Sequence, residues 1–109
     1  MANYTKQIIL QTFTRLLDKE PLDKITVQEI ITECRISRNT FYYHFGDIYA
    51  LLDVLVRQDV SVLREQRREG ASWDENMSRA ISYILENRRR IGHIYRSLNH
   101  ELLERLFRQ

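Results

Sequence analysis

A chain of 109 residues that is 43% hydrophobic and 29% charged, with three Gly and one Pro, has room for one compact unit, or for a small head with part of a second, and is too apolar to be disordered. A formal net charge of +2 does not by itself mark a polyanion-binding surface. No apolar run approaches the roughly 20 residues of a membrane span, the N-terminus lacks the apolar core of a secretory signal, and a lone Cys34 excludes an internal disulfide and a cysteine zinc site, so the expected compartment is the cytoplasm.

Ile9, Leu10, Phe13, Leu16 and Leu17 repeat at the spacing of one helical face, and Pro21 disfavours helix just before it, which predicts a first helix over about 4–19. Thr26-Val27-Gln28-Glu29 is a capping box and starts a second helix at Val27 that runs to about Cys34. After a three-residue connection Ser37 is a second N-cap. The short helix it opens, about 38–44, turns Phe41 and Phe45 inward at i, i+4. Gly46-Asp47 breaks the chain and caps a fourth helix over about 48–68, with an apolar stripe of Leu51, Leu52, Leu55, Val56, Val62 and Leu63. Ser72 repeats the capping logic for a fifth helix, about 73–89, carrying Met77, Ala80, Ile81, Ile84 and Leu85. A short helix with Ile91, Ile94, Tyr95 and Leu98 follows, and Asn99 is placed to cap a last one containing Leu102, Leu103, Leu106 and Phe107. Without useful strand alternation or repeat, the pattern supports an all-α architecture.

Charge is informative only locally. From Met1 to Asp47 six Lys and Arg balance six Asp and Glu, yet between Glu33 and Asp47 there is no acid, while Arg35, Arg38, Tyr42, Tyr43 and His44 fall inside that window. Two short helices joined by a tight turn match the geometry in which a recognition helix enters the major groove. Such a helix must anchor one face in the core and offer polar and cationic groups on the other. Phe41 and Phe45 are the anchors. Arg38, Asn39, Thr40, Tyr42, Tyr43 and His44 supply a guanidinium able to fork onto guanine, an amide suited to adenine, a methyl-bearing hydroxyl and tips that reach phosphate. Composition alone allows a plain exposed polar helix face as well; it is the order of caps, turn and anchors that favours DNA.

Thr26-Val27-Gln28-Glu29-Ile30-Ile31 followed by Ile36-Ser37-Arg38-Asn39-Thr40-Phe41-Tyr42-Tyr43-His44-Phe45 resembles the signature of TetR-like bacterial transcriptional regulators over about residues 5–60. The resemblance implies a three-helix DNA-binding head, a long fourth helix leading to an all-α ligand-binding and dimerising body, and repression relieved when a small-molecule effector moves two heads. It divides this chain into a head over 4–64, with the helix-turn-helix at about 27–46, and a partial helical body over 65–109. Carried onto these residues, it implies that Thr26 holds a phosphate, that Ser37 and Thr40 serve as cap and contact, that Arg38, Asn39 and Thr40 approach bases, and that Tyr42, Tyr43 and His44 touch backbone or bases. The pattern departs from the family's twice: Arg35 stands where a glycine is usual in the turn, and Gly46 where a lysine commonly follows the closing aromatic. A weaker similarity of residues 38–48 is to a subgroup that includes activators of dihydroxyacetone-kinase genes.

The expected partner is therefore double-stranded operator DNA, read as a homodimer, although the family's usual dimer helices lie beyond residue 109; no cofactor is expected. The competing reading is a helical interaction module that keeps the fold without operator binding. Catalysis lacks a phosphate loop, a nucleophile constellation or a metal-spaced acid cluster. Arg88-Arg89-Arg90 reads as a solvated helix C-terminus, His93 and His100 lack a third metal ligand, Trp73 is expected to pack at a helix junction, and Cys34 to be a small core residue.

Overall fold

A computed structural model describes the backbone of residues 2–107 and the side chains of residues 4–98. Six α-helices follow one another: α1 (Ala2–Lys19), α2 (Val27–Cys34), α3 (Arg38–His44), α4 (Ile48–Gln66), α5 (Trp73–Glu86) and α6 (Arg88–Phe107), with a 3-10 turn at Leu22–Lys24 between α1 and α2. The architecture is all-α.

Side-chain oxygens set four of the helix starts. Thr26, Ser37, Asp47 and Ser72 each accept a hydrogen bond from the amide three residues on, at 2.9–3.1 Å, satisfying one of the donors that a helix N-terminus leaves free. The 3-10 turn was not expected. Pro21, at φ −62°, cannot continue α1, and the Lys24 and Ile25 amides bond back to the Pro21 and Leu22 carbonyls. This folds Leu22 and Ile25 into the core, a three-residue device too short to show helical period.

The α2–α3 turn is a Schellman motif: the Ile36 amide bonds to the Ile31 carbonyl and the Arg35 amide to that of Thr32, which requires a left-handed residue at Arg35, φ 58° and ψ 44°. Arg35, standing where a glycine is usual, thus takes the left-handed conformation that a glycine adopts without strain. Arginine there costs about 1 kcal/mol against glycine. Arg35→Gly is expected to raise the unfolding free energy by about 0.5–1 kcal/mol in urea denaturation; an unchanged or lowered midpoint would mean that the Arg35 side chain contributes contacts that offset its strain.

The core joins Ile9, Leu10, Phe13, Leu16 and Leu17 of α1 with Ile30, Ile31, Phe41, Phe45, Leu51, Leu52 and Leu55. It also takes in Ile94 of α6. Cys34 is half-buried at its edge, with Sγ 3.3 Å from Thr12 Oγ1. Further along α4 the stripe loosens: Val62 and Leu63 are half-buried and Val56 exposed. No side chain of α5 is buried; Met77, Ile81, Ile84 and Leu85 are exposed, and so is Trp73 at 72%, which corrects its expected packing. Trp73 is the first residue after the Ser72 cap, on a helix that packs mainly on α4 and more sparingly on α6.

The C-terminal boundaries differ most from expectation. α5 ends at Glu86, because Asn87 leaves helical geometry at φ −112°, ψ 23° and turns its amide onto the Tyr83 carbonyl. Arg88, Arg89 and Arg90 therefore open α6 rather than close α5. Arg90 is not solvated: it is 4% exposed and forks onto Asp59 of α4, with Nη1 2.7 Å from Oδ2 and Nη2 3.0 Å from Oδ1. The Tyr83 hydroxyl donates to the same carboxylate, so one acid joins α4, α5 and α6. α6 runs through Asn99 without a break; the stripe at 102–107 lies outside the described side chains. Against α1 and the 3-10 turn, His93 Nδ1 meets the Leu17 carbonyl, and Ser97 Oγ bonds the Asp23 carboxylate at 3.1 Å and accepts from its amide at 3.3 Å.

Candidate nucleic-acid interface

Seven residues of α3 leave little choice of orientation. At about 100° per residue, burial of Phe41 and Phe45 puts Asn39 and Tyr43 near the middle of the outward face, Arg38 and Tyr42 along one edge, and Thr40 and His44 along the other. Exposure follows this wheel: Tyr43 is 80% and Tyr42 47% exposed, Arg38 and Asn39 are exposed, and Thr40 and His44 half-buried. The two rings are steadied from inside. Tyr42 stands edge-on to buried Phe41, with centroids 5.4 Å apart, and Tyr43 edge-on to His44 at 5.0 Å.

The N-terminal turn of α3 is polar and pre-ordered. Ser37 Oγ accepts the Thr40 amide and lies 2.9 Å from Thr40 Oγ1, so both hydroxyls already have partners within the chain and Thr40 is the least free of the expected contacts. Thr26, exposed, caps α2, whose first amides are the kind of donors that hold a phosphate. The two helix starts are brought together: Arg38 Nη2 donates to Gln28 Oε1, and Gln28 Nε2 donates to Thr32 Oγ1 at 3.0 Å. All eight residues named from the sequence thus lie on α3, its cap, or the cap of the adjoining helix.

Two further residues were missed. Gln28 meets Arg38, ten positions on, across the α2–α3 turn, a pairing that no linear spacing reveals. Lys6 of α1 places Nζ 5.6 Å from the centre of the Phe45 ring, a cation–π contact, so an exposed cation stands over the residue that closes α3. Lys6 lies outside the acid-free window of residues 33–47 because it is supplied by another helix. Acids gather at the junction of α1 and α2 instead. Glu20 is raised above the ordinary carboxyl range by hydrogen bonding to Glu29, then by desolvation and by repulsion from Glu29 and Glu33, while Arg15 pairs Glu33 at 3.2 Å.

Residues 9–55 match the family model of bacterial regulatory proteins, tetR family. Over 50 residues, 46% of this chain and 17% of the relative, the sequence is 44% identical to an uncharacterized HTH-type transcriptional regulator, YerO, of Bacillus subtilis (strain 168). Over 83 residues, 76% of this chain and 44% of the relative, it is 26% identical to the HTH-type dhaKLM operon transcriptional activator DhaS of Lactococcus lactis subsp. lactis (strain IL1403). The chain thus spans less than half the length of either relative. No solved structure matches. The two capped helices and the left-handed turn between them thus fall inside residues 9–55, the segment that is similar to the tetR family of bacterial regulatory proteins.

Proposed function

We propose that this chain binds double-stranded DNA sequence-specifically and regulates transcription, with α3 in the major groove. The observation that carries the proposal is the two-faced α3: Phe41 and Phe45 buried, Arg38, Asn39, Tyr42 and Tyr43 exposed, and its Ser37-capped start beside the Thr26-capped start of α2. Arg38 and Asn39 are the base readers, by fork onto guanine and amide onto adenine, with Thr40 nearby. Thr26, Ser37, Tyr42, Tyr43 and His44 position the head on phosphates and groove edges. Residues 4–64 form the head in this reading and 65–109 the start of a helical regulatory part; pairing of two heads supplies the affinity that a single small head lacks. Repression by occupying an operator in the cytoplasm is the default reading. The similarity to a protein named as an activator motivates activation as the second, and a reporter placed behind the selected site separates the two by the sign of its response.

In this reading the effector enters between α4 and α5. Val62, Glu65, Gln66, Arg68, Arg79 and Tyr83 help to line a cleft of about 580 Å³ between α4 and α5, and among the described residues Gln66 Oε1 is buried without a hydrogen-bond partner.

Selection from a random duplex pool, followed by titration at two salt concentrations, tests the reading. It requires both sequence preference and affinity that falls with salt; a chain that binds every duplex alike, or none, is the interaction module instead. Arg38→Ala is expected to cost about 1–3 kcal/mol, concentrated at one base pair. Unchanged specificity would remove Arg38 from the readers.

Gly46 offers a gain-of-function check. A Cβ built there meets nothing within 4 Å and the backbone is not left-handed, so Gly46→Lys is sterically free. Adding a cation at the end of α3 is expected to strengthen binding to all duplexes and to steepen the slope of log affinity against log salt by about 1. An unchanged slope would place this end of α3 away from phosphate.

A further inference from the structure

We infer that Gln28 of α2 is a positioning residue for Arg38, fixing which way its guanidinium faces and so sharpening the choice of base; this rests on the proposal that α3 reads DNA. The orientation of the Gln28 amide is not a free choice. Arginine only donates hydrogen bonds, so the carbonyl oxygen of Gln28 must face Arg38, where it accepts from Nη2. That leaves the Gln28 NH2 group to face Thr32, whose hydroxyl accepts at 3.0 Å. A chain of three exposed side chains, Thr32, Gln28 and Arg38, therefore runs from the second turn of α2 to the first residue of α3.

Its physical effect is entropic. A long exposed arginine at a helix start samples many rotamers, and a fork onto guanine O6 and N7 demands one plane. With one Nη2 donor held by Gln28, the remaining guanidinium donors are presented in a narrower set of directions before any DNA arrives, which lowers the ordering cost of the fork. Gln28 acts through Arg38, so its contribution belongs to the base pair that Arg38 reads and to no other.

The test uses the 109-residue chain, the duplex selected from the random pool, and single-base variants of that duplex. Gln28→Ala is expected to lose about tenfold of the discrimination at the base pair where Arg38→Ala also loses it, with other positions unchanged. Thr32→Val, which leaves Gln28 unsupported, is expected to fall between wild type and Gln28→Ala. Gln28→Glu keeps the acceptor; it is expected to keep the preference at that base pair while weakening every duplex, because a carboxylate beside phosphate repels it. In an Arg38→Ala background, Gln28→Ala is expected to change nothing further. The inference is overturned if Gln28→Ala leaves the Arg38 base pair untouched. It is overturned equally if the substitution alters a different base pair when Arg38 is already alanine, which would make Gln28 a direct reader. A wild-type chain without preference for any duplex fails the DNA-reading proposal itself, an outcome distinct from both.

Discussion

Phe41→Ala is expected to lower the unfolding free energy by about 3–5 kcal/mol, enough to remove most of the stability of a typical small domain. Phe41 is fully buried, its ring lies 6.2 Å from that of Phe45, and it belongs to the cluster in which α1, α2 and α4 meet. Truncation therefore opens a cavity bordered by several helices, none of which can close it without moving the others. Tyr43→Ala, two positions on and 80% exposed, is expected to change stability by no more than about 0.5 kcal/mol. Chemical denaturation of the two variants side by side makes the contrast. A Phe41→Ala loss below about 1 kcal/mol would mean that α3 is not held by this ring, and the face assigned to DNA would have to be redrawn.

Arg90→Ala should have a comparable effect, about 3–5 kcal/mol, for a different reason. Asp59 is 17% exposed at its side chain and receives both arms of the Arg90 fork, so deleting the arginine strands a carboxylate that is largely out of water. Asp59→Leu combined with Arg90→Met removes both charges and is expected to recover most of the loss, since a buried ion pair is worth little against well-packed apolar groups. A double variant as unstable as Arg90→Ala would show that the geometry of the fork, not its charge balance, holds the junction. The same site sets a pH limit. Burial, and then its hydrogen bond to Asp59, push the Tyr83 phenol above its ordinary value, so the folded chain holds that proton more tightly than the unfolded one. The contribution is therefore constant below about pH 10, where an unfolded tyrosine titrates, and stability declines as pH rises from there through the raised folded value.

The head was legible because its boundaries are made by neighbours in sequence. A hydroxyl or carboxylate at 26, 37, 47 or 72 bonds an amide three residues on, and such a cap marks a helix start to the residue. Apolar spacing then assigns the buried face, as it did for Phe13, Phe41 and Leu51. Legibility ended where partners are distant. Arg90 looked like one of three solvated cations because its acid lies 31 residues earlier, and Asn99 looked like a cap although the helix carries straight through it. The 3-10 turn was hidden by its brevity. In the candidate interface, the six α3 residues follow from the order of caps and anchors and Thr26 and Ser37 from the resemblance, whereas the Gln28 and Lys6 contacts depend on how α1, α2 and α3 cross.

The ties between α6 and the head are also the most distant hydrogen bonds among the described residues, with His93 to Leu17 spanning 76 residues and Ser97 to Asp23 spanning 74. Closing so large a loop gains nothing until both ends are in place, whereas the contacts among α1 to α4 need only short loops. Folding order follows from this. On a ribosome, the residues of α1 to α4 emerge and can condense before α6 has been made, so the proposed DNA-binding surface is assembled first and the clasp that fastens α6 to α1 and the 3-10 turn comes last.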